Sequence, residues 1–358
     1  MSQVINYGSA LQTYATQKLI ESLGHQCVII NYRFPNEYHY QHGAIQHSVS
    51  WLGRISMWLG LRPRSRKRLR LLKFLKSATR MTKQYDSPSE LKNCPPNCDI
   101  FVAGSDQVWN PKYIFDDYSF LLDFVPNGKR RISLSSSFSV FEIPKEKEMN
   151  YISCLNRFDA ISVREESGVE IVKKLTGRDA IQTLDPTMIL PSAFWSKFAD
   201  TSTRHIIDAP YILVYILTYA VKPSGKIANI LDLLHKKTGF KVVQVGDECK
   251  EYGFDIDLPA VGPVEFVRLF RDATIVVTSS FHGTAFALNF GRPLISLYDK
   301  TADDRMMSLL SELHVEGCAC EINSDDMEWS PYYDKEAEQR ELETIREHCM
   351  QFLKDNIV

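Results

Sequence analysis

The chain has no apolar run approaching the roughly 20 residues that a bilayer-spanning helix needs, and no signal-peptide pattern at its start. Its eight cysteines are scattered, so no disulfide framework is expected and the setting reads as reducing and cytoplasmic. Cys94 with Cys98 and Cys318 with Cys320 lack an accompanying histidine pair, and a zinc site is not expected. An excess of one charge is missing too: 42 Lys and Arg against 44 Asp and Glu leave a formal net charge of −2. That argues against a surface built for nucleic acid. Internal repeats and low-complexity tracts are absent. What remains is 358 residues with 44% hydrophobic content, enough to bury a large core and long enough to favour two domains.

Strand and helix patterns alternate through both halves. Asn6-Tyr7-Gly8-Ser9-Ala10 leads into a helix with Leu11, Ala15, Leu19 and Leu23 on one face and Gly24 as its stop, and Gln26 to Tyr32 reads as a strand. Strands follow at Asp99–Gly104, Arg131–Leu134 and Ala160–Val163, each ending in polar residues. Polar groups gathered after successive strands mark the ligand-binding edge of an open parallel sheet. Pro186 to Pro210 lacks a period and is the expected link between domains. A second series runs Tyr211–Leu217, Pro223–Lys237, Lys241–Val245 and Pro263–Arg271, and a last helix after Asp334 carries Leu342, Ile345, Cys349 and Phe352 on one face.

Two stretches stand out chemically. From Tyr38 to Gln84 an aromatic-rich apolar pattern (Trp51, Leu52, Ile55, Trp58, Leu59) precedes ten Lys and Arg between Arg62 and Lys83 with no acidic residue among them. Such a stretch suits an anionic membrane surface or a pyrophosphate, or is a solvated helix face. From Ala273 to Leu297 a β-branched strand, a turn rich in hydroxyls and a helix start follow one another. The helix N–H groups beside Ser279, Ser280, Gly283 and Thr284 read as an anion pocket, and His282 as an acid or base within it. A histidine that merely packs in the turn is the alternative. Asp106, Trp109 and Asn110 after the Asp99–Gly104 strand read as a sugar-handling loop, with a helix cap as the plainer role for Asp106.

Asn6-Tyr7-Gly8-Ser9-Ala10-Leu11-Gln12, Gly104-Ser105-Asp106-Gln107-Val108-Trp109-Asn110, Ser162-Val163-Arg164-Glu165, Leu184-Asp185-Pro186 and Ser280-Phe281-His282-Gly283-Thr284 fall in an order and spacing that resembles the polysaccharide pyruvyl transferase family. The resemblance spans roughly Asn6 to Leu310. It implies two Rossmann-like α/β domains facing across a cleft in a glycosyltransferase-B-like fold, with a C-terminal helix packing back. The expected divisions are 1–190, with a basic insertion at 45–84, then 191–333 and a helix at 334–358. It also implies an enzyme that transfers the enolpyruvyl group of phosphoenolpyruvate to a sugar as a ketal, with no metal and no cofactor. In that reading His282 is the general acid, Asp106 takes the hydroxyl proton or orients the acceptor, and Arg164 and Arg305 hold phosphate and carboxylate. Trp109 and Asn110 hold sugar, while Asn6, Gly8, Ser279, Ser280, Gly283 and Thr284 complete the binding groups. The implied acceptor is a galactose-type sugar on a polyprenyl pyrophosphate, used in bacterial surface polysaccharide synthesis, with residues 51–83 on the inner membrane face.

The chain departs from that family in two places. Some members carry an arginine where this chain has Ser280, so Arg305 or Arg292 is expected to substitute. Members usually begin with a complete first strand, whereas only Ser2 to Ile5 are available here, as a late start codon would leave them. Two rival functions stay open. One is a nucleotide-sugar glycosyltransferase, which would need carboxylates such as Asp247, Glu248 and Glu251. The other is a non-catalytic polysaccharide or lipid-surface binding protein.

Overall fold

The structure, a computed structural model, describes residues 5–34, 60, 62–202, 206–218, 220–246, 252–300, 304–324 and 329–357. The aromatic pattern from Trp51 to Leu59 and the carboxylates Asp247, Glu248 and Glu251 lie outside the described residues. Two compact units emerge. The first comprises Met1–Val49, Leu75–Ile189 and Thr344–Val358; the second comprises Ser50–Phe74 and Leu190–Glu343.

Elements begin with α1 (Tyr7–Ser22), β1 (Ile29–Tyr32), α2 (Pro63–Ala78), β2 (Met81–Tyr85), α3 (Pro88–Asn93), β3 (Ile100–Ala103), α4 (Pro111–Ile114) and β4 (Arg130–Ser133). They continue with α5 (Lys145–Leu155), β5 (Ser162–Val163), α6 (Glu166–Thr176), β6 (Ile181–Gln182) and α7 (Pro186–Ile189). Every ladder of the first unit is parallel: β1 with β2, β3 with β4, β5 with β6. Single bridges at Ile132–Ala160 and Ser136–Val163 join β4 to β5. These strands are short because serine hydroxyls take over ladder positions. Ser133 Oγ donates to the Ser162 carbonyl at 2.9 Å, and Ser162 Oγ returns to the Ser133 carbonyl at 3.0 Å. The hydrophobic core lies beside them, built on Trp109, Phe138, Tyr151 and Phe158.

Elements of the second unit are α8 (Ser192–Ala199), β7 (Tyr211–Tyr215), α9 (Gly225–Thr238), β8 (Lys241–Val245), β9 (Ile256–Leu258), α10 (Pro263–Asp272) and β10 (Ile275–Thr278). After them come α11 (Phe281–Asn289), β11 (Leu294–Tyr298), α12 (Asp304–Glu312), β12 (Ala319–Glu321) and α13 (Lys335–Ile357). Six parallel strands lie in the order β12-β11-β10-β7-β8-β9. The central β7 and β10 are buried at every residue, as expected of strands covered on both faces. The chain builds outward from β7 in one direction and from β10 in the other, so the strand order reverses between them. Open α/β sheets bind ligands beyond the carboxyl ends of the strands at such a reversal.

The stretch Pro186–Pro210, aperiodic in sequence, contains α7 and α8. Trp195 of α8 is fully buried, with its ring 5.1 Å from that of Phe286. On α13, Leu342, Cys349 and Leu353 are buried, and Arg346 Nε donates to the Met188 carbonyl at 2.7 Å. No helix among the described residues is long and apolar enough to cross a membrane.

Candidate active site

His282 is the second residue of α11, which follows β10 at the reversal of strand order. Local chemistry fixes the turn. Thr278 Oγ1 donates to the Tyr215 carbonyl at 2.7 Å and accepts from Ser280 N at 3.1 Å. Ser279 Oγ accepts from Leu217 N at 2.8 Å, which ties the ends of β10 and β7 together. Ser280, with extended backbone, caps α11 by accepting from Gly283 N at 3.3 Å. The imidazole of His282 is 6% exposed and stands edge-on to the Phe281 ring at 5.5 Å.

These bonds correct the expectation that the hydroxyls line the pocket as ligands. Ser279, Ser280 and Thr284 are buried; the hydroxyls of Ser279 and Ser280 serve the turn itself, and that of Thr284 reaches neighbouring elements. Thr284 Oγ1 pairs with Ser296 Oγ at 2.8 Å and with Met306 Sδ at 3.2 Å. Gly283 has a packing reason rather than a ligand reason, because a Cβ there would sit 2.3 Å from Thr278 Oγ1. The Thr284–Met306 contact draws α12 to the turn, and half-buried Arg305 precedes Met306 in that helix.

In the first unit, Asn6 caps α1 by accepting from Gly8 N at 2.7 Å. Ser9, the third residue of that helix, donates through Oγ to Asp106 Oδ2 at 2.5 Å. Asp106 Oδ1 accepts from Gln107 N at 2.9 Å. Asp106 has φ of 84°, left-handed backbone that a non-glycine residue adopts at an energetic cost and that concentrates at functional positions. The structure therefore brings Asn6, Gly8 and Asp106 together, with Ser9 as a partner that the sequence motif contained but whose role its spacing did not reveal.

Three other expected ligands have different surroundings. Trp109 is fully buried among Phe138 and Phe158, and its Nε1 donates to the Phe120 carbonyl at 3.0 Å. It is a core residue and presents no face to a sugar. Asn110, 3% exposed, caps α4 through Lys112 N at 2.9 Å. Arg164 is buried and ion-paired with Asp185 at 3.3 Å. Asp185 also accepts from Ser105 Oγ at 2.6 Å, from Thr187 Oγ1 at 2.6 Å and from Thr187 N at 2.9 Å. Arg164 thus balances an internal carboxylate that anchors the residue before Asp106. Sequence reading also missed Glu165. Its buried Oε1 accepts from Phe138 N at 2.7 Å and Ser139 N at 3.0 Å and clamps the loop after β4. Among the described residues no group of three or more His, Cys, Asp or Glu is placed to hold a metal.

Residues 6–300 match the family profile described as polysaccharide pyruvyl transferase. No curated protein matches the sequence. Among solved structures the chain is similar to UDP-GlcNAc 2-epimerase from Neisseria meningitidis bound to UDP-GlcNAc, at 10% identity, covering 98% of this chain and 97% of that one with a TM-score of 0.51. It is likewise similar to the MnaA–UDP co-structure from S. aureus, at 13% identity, covering 96% and 94% with a TM-score of 0.50. At such identities the likeness is one of fold, the glycosyltransferase-B-like α/β architecture.

Proposed function

The chain belongs to the polysaccharide pyruvyl transferase family, and from that membership we propose that it moves the enolpyruvyl group of phosphoenolpyruvate onto a galactose-type sugar as a pyruvate ketal. The observation that carries this reading is His282, a proton-transferring side chain at the N-terminus of α11, where strand order reverses. His282 protonates the methylene carbon, which makes the central carbon electrophilic. Asp106 accepts the proton of the first sugar hydroxyl, whose oxygen bonds to that carbon. The bond from the central carbon to the phosphate oxygen then breaks, and the second hydroxyl closes the ketal ring. Of the two hydroxyl protons, one balances the proton now in the methyl group and the other leaves with phosphate. Arg305 is the cation assigned to phosphate or carboxylate, where a guanidinium binds in bidentate fashion.

The acceptor in this reading is a sugar on a polyprenyl pyrophosphate, as surface polysaccharide synthesis requires, and the cations of α2 serve a peripheral position on the anionic inner membrane face. No metal, cofactor or nucleic acid enters the proposed reaction.

The test is release of inorganic phosphate from phosphoenolpyruvate in the presence of galactose-type acceptors, wild type against His282→Ala. The expected loss in the variant is roughly 100- to 10,000-fold, the usual contribution of a general acid. Equal turnover by the variant would remove His282 from the chemistry. Nucleoside diphosphate release from a sugar nucleotide would instead support the glycosyltransferase reading, and no release with any donor would support a binding protein.

A further inference from the structure

A serine in the first turn of a helix usually spends its hydroxyl locally, as a cap or on a nearby backbone group. Ser9 does neither. Asn6 already caps α1, and the Ser9 hydroxyl, 4% exposed, reaches a partner 97 residues along the chain, Asp106 Oδ2 at 2.5 Å. That separation is at the short end for a hydroxyl donating to an ionised carboxylate. The second oxygen, Oδ1, accepts from Gln107 N at 2.9 Å. The backbone is pinned as well: the Asp106 carbonyl accepts from Val108 N at 2.7 Å and from Ser137 N at 3.0 Å, which holds the φ of 84°. Through Ser9 the carboxylate stands at the N-terminus of α1, where the helix dipole favours negative charge and the first turn carries no acidic side chain.

We propose that Ser9 is a positioning residue for Asp106, whose hydroxyl holds the carboxylate ionised and turned for the acceptor's hydroxyl proton; this rests on the role given to Asp106 in the proposed function. The bond is charge-assisted while Asp106 is ionised and weakens once Asp106 has taken the sugar proton. Ser9 therefore lowers the carboxyl's affinity for a proton, and keeps it in one orientation and ready to accept at lower pH. Other charged groups are bonded into the same loop. Asp185 accepts from Ser105 Oγ at 2.6 Å and is paired with Arg164, and Glu165 accepts from Ser137 Oγ at 3.1 Å. None of these bonds passes through Ser9, so removing its hydroxyl leaves them in place.

The test compares wild type with Ser9→Ala, Ser9→Thr and Ser9→Cys by two measurements. The first is the pH profile of phosphate release from phosphoenolpyruvate with a galactose-type acceptor. Ser9→Ala should lower kcat roughly 10-fold and move the acid limb of kcat/KM up by about one pH unit. Ser9→Thr keeps the O–H and should return the limb to its place, while Ser9→Cys, a weaker donor, should fall between. The second measurement is the titration of the Asp106 carboxyl by carbon NMR, its signal assigned by its loss in Asp106→Asn, and it needs no turnover. The same upward displacement in Ser9→Ala is expected there. The proposal falls if the Asp106 carboxyl titrates at one pH in wild type and Ser9→Ala alike, or if Ser9→Ala loses turnover with an unmoved acid limb, the mark of a packing role. A wild type that releases no phosphate, while the carboxyl titration still moves, would overturn the proposed reaction and leave the coupling of Ser9 to Asp106 standing.

Discussion

Gly283 separates packing from chemistry within one turn. The atom that a Cβ would meet, Thr278 Oγ1 at 2.3 Å, is not free to swing away, because it donates to Tyr215 O and accepts from Ser280 N. Gly283→Ala is therefore expected to destabilise the second unit by about 1–3 kcal/mol, the range for overpacking a buried site, and to lower turnover by displacing His282. Gly225→Ala is the matched control: nothing lies within 4 Å of its added Cβ and the residue opens α9. Urea unfolding of the two variants checks the contrast, and equal midpoints would show that the turn tolerates a side chain. At the same scale, Trp109 marks how a residue type misleads. An indole in a loop beside Asp and Asn has the composition of a sugar platform. Burial and the bond to Phe120 O are set by chain segments distant in sequence, which local composition does not encode.

Among the helices, α2 carries the strongest local charge. Arg64, Arg66 and Arg68 are exposed and have no ion-pair partner among the described residues, and Leu69 beside them is 42% exposed. Lys67 is instead buried at 2%, and Arg70 donates to the Ala260 carbonyl. Replacing Arg64, Arg66 and Arg68 by Gln removes free cations and leaves the packed residues in place. At about 1 kcal/mol per cation near an anionic surface, binding to phosphatidylserine vesicles should weaken by roughly two decades in a co-sedimentation assay. Unchanged binding would leave α2 as a solvated face. Element by element, legibility tracked burial pattern. β7 and β10 were readable because strands covered on both faces spell near-continuous apolar runs. β5 and β6, two residues each, were less so: hydroxyl bonds such as Ser133–Ser162 replace ladder bonds, and serine in sequence signals a loop. The His282 turn and the Asp106 loop were legible as motifs, but Ser9 and Glu165 were not, since their roles depend on partners 97 and 27 residues away.

For the molecule as a whole, buried acids that stay protonated tie stability to alkaline pH in both units. Burial, with Asp123 adding to it, pushes the Cys154 thiol of the first unit up to about 11; burial, with Glu338 adding, pushes Cys318 of the second up to about 12. Tyr151, Tyr211 and Tyr333 are raised in the same sense, chiefly by burial. The sign follows from proton counts. Above the ordinary thiol value of 9.0, the unfolded chain releases protons that the folded chain retains, so rising pH favours unfolding until the folded thiol itself ionises. At pH 10 each thiol lowers stability by about 1.4 kcal/mol relative to neutral pH, and the tyrosines join from their ordinary value of 10.0 upward. Melting temperatures should hold level to about pH 8 and fall between pH 9 and 10.5. Cys154→Ala and Cys318→Ala each remove one titrating group, so their melting curves should fall less steeply over the same window even though each starts from a less stable protein. A wild-type profile flat to pH 10.5, or variants with an unchanged slope, would mean that these thiols meet water in the folded state and that the two cores are looser than their packing indicates.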